Sequence, residues 1–352
     1  MSRILITGGA GFIGSNLASF LLDRGHEVTV LDNRRDLKNL EGILDRVHHM
    51  DGDIRDRALL EDLFGRKRMH GVVHLAAVSR VIWGEEDPAR CVDINLNGTK
   101  TLLEAMVKGT PVRPWFIYGS SREVYGECDR LPVREDAPKA PINVYGHTKL
   151  DCERFLAGIT MENGLRSIAL RFSNAYGNEK DIMDRVIPRF VMAGLRGERL
   201  EIHGGNQMFD FTHIDDTVEG IARSMELLES KAGTGSGPYF NEFHILCGKG
   251  VTLQQLCGII SQNLRKDLDI AVTTPRTYDV DRFFGDPSKA CEVLGFRASI
   301  DIDQGVAMTI ARLREHLDDG GDPGRKMRSR PMVTDQTERV KDGSLESVEE
   351  RI

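Results

Sequence analysis

Short apolar segments alternate with stretches of helical periodicity through the first half of the 352-residue chain. Continuous apolar runs are typical of strands buried on both faces, and helices between such runs favour a parallel sheet covered on both sides. The first helix is predicted at 12–24, where apolar residues recur at 13, 17, 20 and 21 before Gly25. The alternation therefore predicts an α/β fold built on a doubly wound parallel sheet. The predicted strands are 3–7, 27–32, 47–53, 71–77, 114–121 and 166–174.

The pattern becomes less regular after residue 175. Helices are predicted near 184–197 and at 215–229, with a short strand at 200–203 and a flexible surface loop at 231–237. We therefore expect a first domain over 1–175 and a smaller C-terminal α/β part over 176–317. Residues 318–352 are polar and charged without an apolar period, so we expect a disordered tail in which only 344–352 could form a short helix.

The composition argues against several classes of function. With a net charge of −7 and no concentrated basic stripe, the chain is not expected to bind nucleic acid. No run approaches the ~18 apolar residues of a membrane-spanning helix. The residues after Met1 lack the layout of a signal peptide, so we expect a cytoplasmic protein with no membrane partner. The six cysteines include no C-x-x-C pair, which argues against both a metal site and disulfide bonds.

A glycine-rich segment, TGGAGFIG at 7–14, lies between the first predicted strand and the first predicted helix. Its glycines allow a sharp turn, close approach of a pyrophosphate, and helix N–H groups aimed at that anion. Asp32 ends the next strand, where a carboxylate accepts hydrogen bonds from the adenosine ribose. The motif predicts a Rossmann-type dinucleotide-binding domain. Asp32 favours NAD over NADP because a carboxylate repels a 2′-phosphate, although Arg34 and Arg35 could weaken that preference.

Tyr145 and Lys149 are four residues apart and therefore share one face of a predicted helix. A phenol with a pKa near ~10 is a poor base at neutral pH, but a neighbouring ammonium stabilises the phenolate. The pair follows the strand that ends at Ser121, and the carboxyl ends of parallel strands border the ligand crevice of such folds. We therefore predict Tyr145 as a general base tuned by Lys149, with Ser121 as its hydrogen-bond partner.

The motifs along the chain carry a resemblance to a known family. The chain resembles the extended short-chain dehydrogenase/reductases, specifically the NAD-dependent nucleotide-sugar epimerase/dehydratase family typified by UDP-glucose 4-epimerase. The matching blocks cover residues 3–315 in order and at the family's spacing. They are TGGAGFIG (7–14), GDIRD (52–56), HLAA (74–77), NLNGT (95–99), SSREVYG (120–126), YGHTK (145–149), LRFSNAYG (170–177), DFTHIDD (210–216) and GDPSKA (285–290).

The resemblance implies an enzyme that binds NAD and a nucleoside diphosphate sugar, with the sugar nucleotide bound mainly by the part at 176–317. It implies that Asp53 accepts from the adenine amino group and that Asn95 supports the cleft from a neighbouring helix. The implied cofactor-binding residues are Gly8, Gly11, Phe12, Ile13, Gly14, Asp32, Asn33, Asp53, Ile54, Leu75, Ala76, Ala77, Asn95, Tyr145 and Lys149.

The implied catalytic residues are Ser121, Tyr145, Lys149 and Glu123. The implied substrate-binding residues include Arg276 as a phosphate clamp, because a guanidinium matches phosphate geometry. Family members often pair two helices per subunit, which implies a homodimer formed through 88–108 and 144–163. The full substrate-binding set is Ser121, Arg122, Asn174, Arg185, Val186, His203, Arg276 and Asp279.

One departure from the family pattern concerns the diphosphate. Phe209 occupies the position of an arginine that usually contacts this group. Either Arg185, Arg189 or His203 supplies the missing cation, with Arg185 favoured, or the nucleotide carrier differs.

A second departure concerns the reaction. Glu123 is retained, but Arg122 replaces the aspartate with which dehydratases of the family complete the elimination of water. Arginine does not donate a proton near neutral pH, so we expect an epimerase, most simply at C4, that forms a transient 4-keto sugar and regenerates NAD. Arg122 could instead hold the carboxylate of a uronic acid. The alternatives are a dehydratase or uronic-acid decarboxylase that uses Glu123, and a non-catalytic NAD-binding regulatory protein.

Overall fold

The structure, a computed structural model, describes residues 1–110, 113–231, 237–274 and 280–318. Arg276, Asp279, most of the predicted loop at 231–237, and the predicted tail beyond residue 318 with its helix at 344–352 lie outside the described residues. The strands of the described part are β1 (Arg3–Thr7), β2 (Glu27–Asp32), β3 (His48–Asp51), β4 (Gly71–His74), β5 (Trp115–Ser121), β6 (Arg166–Phe172), β7 (Asn174–Tyr176), β8 (Leu200–His203), β9 (Met208–His213), β10 (Tyr239–Ile245), β11 (Gly250–Thr252) and β12 (Ile270–Thr273).

The described α-helices follow most of the strands. They are α1 (Phe12–Asp23), α2 (Arg57–Arg66), α3 (Val81–Glu86), α4 (Pro88–Val92), α5 (Gly98–Gly109), α6 (Val144–Asn163), α7 (Val186–Arg196), α8 (Ile214–Ser230), α9 (Leu253–Leu264), α10 (Ser288–Leu294) and α11 (Ile302–Asp318). None of these helices is both long and apolar enough to cross a membrane.

A seven-stranded sheet with the order β10-β6-β5-β4-β1-β2-β3 forms the centre of the molecule, and all its strand pairs are parallel. Successive residues of β1 point to opposite faces. Ile4 and Ile6 pack with α1 and α8, whereas Leu5 packs with α2, α5 and α6 on the other side. Helices therefore cover both faces of the sheet, and the predicted Rossmann-type α/β fold is confirmed. The strand order reverses between β1 and β4, which is where such folds bind their ligands.

A smaller C-terminal part packs beside this sheet. It contains the mixed sheet β11-β9-β7, the parallel pair β8 and β12, and an apolar core to which α7, α9 and α11 contribute. The chain also returns to the first part, because β10 pairs with β6 and α8 packs on α1. The division at residue 175 stays a prediction.

The predicted elements differ from the observed ones mainly at their ends. The helix predicted at 88–108 is divided into α4, a five-residue π-helical turn at Asp93–Asn97, and α5. Asn95 lies within this turn, and its side chain points inward to bond the backbone of Val78 and the hydroxyl of Thr148. The strand predicted at 71–77 ends at His74, because the residues after it turn into a cavity wall.

Candidate active site

A cavity of about 610 Å³ opens at the carboxyl ends of β1, β2, β4, β5 and β6. Its volume lies within the range of about 300–1,000 Å³ typical of small-molecule sites. The cavity lies at the point where the strand order reverses. The predicted site residues that line it are Gly8, Gly11, Phe12, Ile13, Gly14, Asp32, Asn33, Asp53, Ile54, Leu75, Ala76, Ala77, Ser121, Tyr145, Lys149 and Arg185.

The glycine-rich turn between β1 and α1 forms the floor of one end of the cavity. Gly8 has a φ of +71°, and a Cβ atom there would lie 2.6 Å from the backbone nitrogen of Ala76. A Cβ at Gly14 would lie 2.4 Å from the carbonyl oxygen of Gly8. The N-cap residue Gly11 has no side chain to cap α1, so the first amide groups of the helix are available to an anion. These residues fit the pyrophosphate of a dinucleotide.

Asp32 stands beside this turn at the end of β2 and is only 6% exposed. Its Oδ2 accepts from the backbone N–H of Ala10 at 2.9 Å, and its Oδ1 accepts from the backbone N–H of Arg34 at 3.0 Å. These bonds hold the carboxylate against the cavity, in a position that fits a ribose diol. The guanidinium of Arg34 also lines the cavity and donates to the Ala10 carbonyl at 3.4 Å.

Two further predicted residues lie next to each other at the same end. Asn33 Nδ2 donates to Asp53 Oδ2 at 3.0 Å, and hydrogen bonds from the guanidinium of Arg55 hold the pKa of Asp53 below its usual value. Ile54 packs tightly against Gly98, which has room for no side chain. Asn95 does not line the cavity but lies behind its wall, where its Oδ1 accepts from the Val78 N–H at 2.7 Å.

Ser121, Tyr145 and Lys149 come together at the opposite end of the cavity. Helix α6 begins directly after Asn143, whose Oδ1 accepts from the Gly146 N–H at 2.8 Å and so caps the helix. Lys149 Nζ donates to the Gly119 carbonyl at 2.7 Å and lies 5.6 Å from the centre of the Tyr145 ring. The end of β5 and the first turns of α6 therefore bring the three predicted catalytic residues together.

The electrostatics of this group follow from its burial. Burial raises the pKa of Tyr145, and its hydrogen bond with Ser121 acts in the opposite direction. Burial lowers the pKa of Lys149 to about 8. A buried ammonium near the phenol stabilises the phenolate, because the charge interaction is stronger in a low dielectric. The arrangement can accept a proton from a substrate hydroxyl at the Tyr145 oxygen.

Glu123 and Arg122 do not line the cavity. Glu123 Oε1 pairs with Arg122 Nη2 at 2.8 Å, and its Oε2 accepts from Asn143 Nδ2 at 2.8 Å. The Arg122 guanidinium lies over the ring of Phe209, 4.8 Å from its centre, and over that of Phe283 at 5.6 Å. The Phe209 ring thus packs against the guanidinium of Arg122, the residue that directly follows β5.

The remaining substrate-binding predictions fall on the C-terminal part. Arg185, the N-cap residue of α7, lines the cavity and donates to Asp181 Oδ1 at 3.2 Å. Asn174, Val186 and His203 lie on β7, α7 and β8 and do not line the cavity as it stands. Arg276 and Asp279 are outside the described residues.

Sequence reasoning missed three cationic residues that line the cavity, Arg80, Arg90 and Lys180. Arg80 pairs with Asp184 across the cavity mouth. The Lys180 carbonyl accepts from Asn39 Nδ2 at 3.2 Å, and the same amide group donates to Ala10 of the glycine-rich turn. Arg80 comes three residues after the end of the HLAA block, so a sequence signal was available. Lys180 comes from a loop that only the fold brings to the cavity.

The glycine-rich turn and the adjacent serine, tyrosine and lysine fit an NAD-dependent enzyme that acts on a hydroxyl-bearing substrate. Residues 4–235 match the NAD dependent epimerase/dehydratase family. The chain therefore belongs to this family, and NAD is its cofactor.

Known relatives place the chain within this family. It is 30% identical over 309 residues to UDP-glucose 4-epimerase of Halalkalibacterium halodurans, covering 83% of this chain and 90% of the relative. The crystal structure of UDP-glucose 4-epimerase with UDP-glucose from Thermotoga maritima has a TM-score of 0.81 at 30% identity, covering 90% of this chain and 99% of that chain. The structure of dTDP-glucose 4,6-dehydratase from Streptomyces venezuelae, with NAD bound, has a TM-score of 0.81 at 29% identity, covering 90% and 98%.

Proposed function

We propose that the protein inverts the C4 centre of a nucleoside diphosphate hexose, with a UDP-sugar as the first candidate substrate. The relatives named UDP-glucose 4-epimerase support this proposal. The position of Tyr145 beside Ser121 at the cavity wall supports it independently, because reversible oxidation at one carbon requires a single base that can also return its proton.

In this proposal NAD, when bound, supplies a reversible hydride acceptor. The Tyr145 oxygen takes the proton of the sugar C4 hydroxyl, and Ser121 holds that hydroxyl by a hydrogen bond. Lys149 stabilises the phenolate form of Tyr145. After the 4-keto sugar has turned its other face to the cofactor, Tyr145 returns the proton to the C4 oxygen. The C4 hydride would leave in the first half of the reaction and return in the second, so there is no net oxidation and the product differs from the substrate only in its configuration at C4.

The ion pair and hydrogen bond of the Glu123 carboxylate favour an epimerase over a dehydratase. Elimination of water requires an acid and a base in addition to the tyrosine that takes the proton of the C4 hydroxyl. Both Glu123 oxygens are held by Arg122 and Asn143, and this side chain does not line the cavity. A carboxylate bound in this way is not free to reach the sugar. Tyr145 lines the cavity together with Ser121, and we assign the proton transfer to it.

Arg185 is the cation we propose for the substrate diphosphate. It starts α7, lines the cavity, and is separate from the cofactor cradle around Gly11 and Asp32. Arg185 would replace the cation that is absent at position 209. The Phe209 ring itself packs on Arg122 and contributes no charge. Arg276 and Asp279 remain predicted ligands of the nucleotide.

A panel of UDP-, dTDP-, GDP- and CDP-sugars incubated with the purified protein tests the proposal. Mass spectrometry is expected to find products of unchanged mass, and proton NMR is expected to show inversion at C4. Loss of water or carbon dioxide would instead make the protein a lyase that uses Glu123. Retained NAD with no sugar nucleotide converted or able to reduce it would identify a non-catalytic NAD-binding protein.

We also propose a homodimer formed through the region of α4 and α5 together with α6, and a cytoplasmic location. Val92 on α4 is 39% exposed and Met161 on α6 is 60% exposed, so both helical regions present apolar side chains at the surface. Sedimentation velocity measures the oligomeric state directly. A monomer at micromolar concentration would contradict the dimer.

A further inference from the structure

The helix that carries Tyr145 and Lys149 also carries a buried carboxylate. Glu153 follows Lys149 by four residues and Tyr145 by eight, so the three side chains lie along one face of α6. The Glu153 side chain is only 5% exposed, and it does not line the cavity. A charge at such a position requires partners, because removing it from water is costly.

Those partners come from two neighbouring strands. Glu153 Oε1 accepts from Ser120 Oγ at 2.5 Å and from Arg171 Nε at 2.9 Å, and its Oε2 accepts from Arg171 Nη2 at 2.7 Å. Ser120 on β5 and Arg171 on β6 face each other in the parallel register. Arg171 is held separately by a bond from its Nη1 to Tyr125 Oη at 2.6 Å. One carboxylate therefore ties α6 to both strands.

The residues on either side of Ser120 hold the catalytic pair. The carbonyl of Gly119 accepts from Lys149 Nζ at 2.7 Å, and the Ser121 side chain interacts with the Tyr145 phenol. Three consecutive residues of β5 thus face three side chains of α6. Because the contacts join the same two elements, rotation or sliding of the helix at one contact changes the distances at the other two.

We infer that Glu153 is a positioning residue, which fixes the rotation and the axial position of α6 on β5 and β6 and thereby the placement of Tyr145. The two-pronged bond with Arg171 is directional, so it resists rotation in a way that apolar packing does not. The inference rests on the proposed function, since it concerns the base of that reaction. A misplacement of about 1 Å can lower turnover about 100-fold.

Glu153→Gln tests this role with little change of shape. The glutamine NH₂ group faces the Arg171 donors and cannot accept from them, so one of the two hydrogen bonds between residues 153 and 171 is lost. We expect kcat to fall about 10- to 100-fold, while KM for the sugar nucleotide and Kd for NAD change less than about threefold. A crystal structure of the variant is expected to show α6 displaced, with the bond between Lys149 and the Gly119 carbonyl lengthened beyond hydrogen-bond distance.

The crystal structure separates this inference from the proposed function. If the wild-type protein epimerises no sugar nucleotide, the proposed function fails, yet a displaced α6 in Glu153→Gln still supports the positioning role. An undisplaced helix in the variant overturns the positioning role whatever the activity. A folded Glu153→Gln with kcat within about twofold of the wild type overturns it as well.

A double-variant comparison distinguishes positioning from general damage. If Glu153 acts through Tyr145, adding Glu153→Gln to Tyr145→Phe lowers the residual activity little further, whereas independent effects multiply. Asp216→Asn is the matched control. Asp216 is a buried carboxylate on α8 that accepts from the backbone and side chain of Ser299 at 3.0 Å each. This control is expected to lower stability and leave kcat unchanged, and an equal loss of kcat would count against positioning.

Ser120→Ala provides a milder test in case Glu153→Gln does not fold. This variant leaves the pair between Glu153 and Arg171 intact and removes only the hydroxyl contact to β5. Loss of one hydrogen bond predicts a fall in kcat of about 2- to 10-fold. A wild-type kcat in this variant would contradict the inference.

Discussion

Tyr145→Phe removes one oxygen atom and is the most direct test of the proposed chemistry. The ring still fills its buried position, so the fold and the cavity should persist. Turnover is expected to fall about 10²- to 10⁴-fold, the usual contribution of a placed general base. This corresponds to about 2.8–5.6 kcal/mol in the activation free energy, at about 1.4 kcal/mol for each factor of ten.

The stability of the same variant should change much less than its activity. The lost hydrogen bond with Ser121 contributes about 0.5–1.5 kcal/mol, which corresponds to a change in Tm of less than about 5 °C. The assay measures sugar-nucleotide interconversion by chromatography, together with NAD affinity by calorimetry and Tm by scanning fluorimetry. A variant that retains more than about a tenth of wild-type turnover lies far outside the expected range. That result would refute Tyr145 as the base.

Three further predictions concern the cofactor cradle and the lysine. Lys149→Met should slow turnover. Since burial lowers the pKa of Lys149 from 10.5 to about 8, the cofactor-free wild type should gain stability relative to this variant as pH rises from 8 to 10.5, which pH-dependent denaturation measures. Calorimetry should find NAD bound at least about tenfold more tightly than NADP, and Asp32→Ser should reduce this difference in affinity. Tighter binding of NADP than of NAD by the wild type would instead indicate that Arg34 determines the cofactor preference. Gly8→Ala should weaken NAD binding at least about tenfold, because its Cβ would lie 2.6 Å from the Ala76 nitrogen at a φ of +71°; unchanged affinity would show that the turn relaxes.

The parts of the site that could be predicted from the sequence are those in which the chemistry depends on neighbouring residues. The glycines at 8 and 14 follow from local backbone requirements, and the fold places them under tight contact. The four-residue spacing of Tyr145 and Lys149 sets one face of a helix, and α6 spans the predicted 144–163. Local spacing was sufficient because the positive φ of Gly8 and the contact of Gly14 with Gly8 arise within one turn, and Tyr145 and Lys149 lie within one helix.

Contacts between distant segments could not be predicted in this way. The pair formed by Glu153 and Arg171 joins two elements, and neither residue stands out in a single sequence. The sequence alone allowed several roles for Arg122. Only the fold shows that its guanidinium contacts Glu123 and the Phe209 ring. Strand β10 was also missed, since its first four residues are only partly buried and Asn241 and Glu242 interrupt any apolar run.

The late position of β10 in the chain affects how the protein is made. During synthesis, β6 leaves the ribosome long before Tyr239–Ile245, its neighbour in the finished sheet. Translation at about 5–20 residues per second leaves that edge unpaired for several seconds. The backbone N–H and C=O groups of β6 are then free to pair with a strand of another nascent chain. Apolar side chains such as Leu170, which are buried in the finished protein, are exposed during this time. The sheet is complete only after β10, which follows α8 in the chain, has been synthesised. A truncated product that stops before residue 239 is therefore expected to aggregate rather than to form an independent NAD-binding domain.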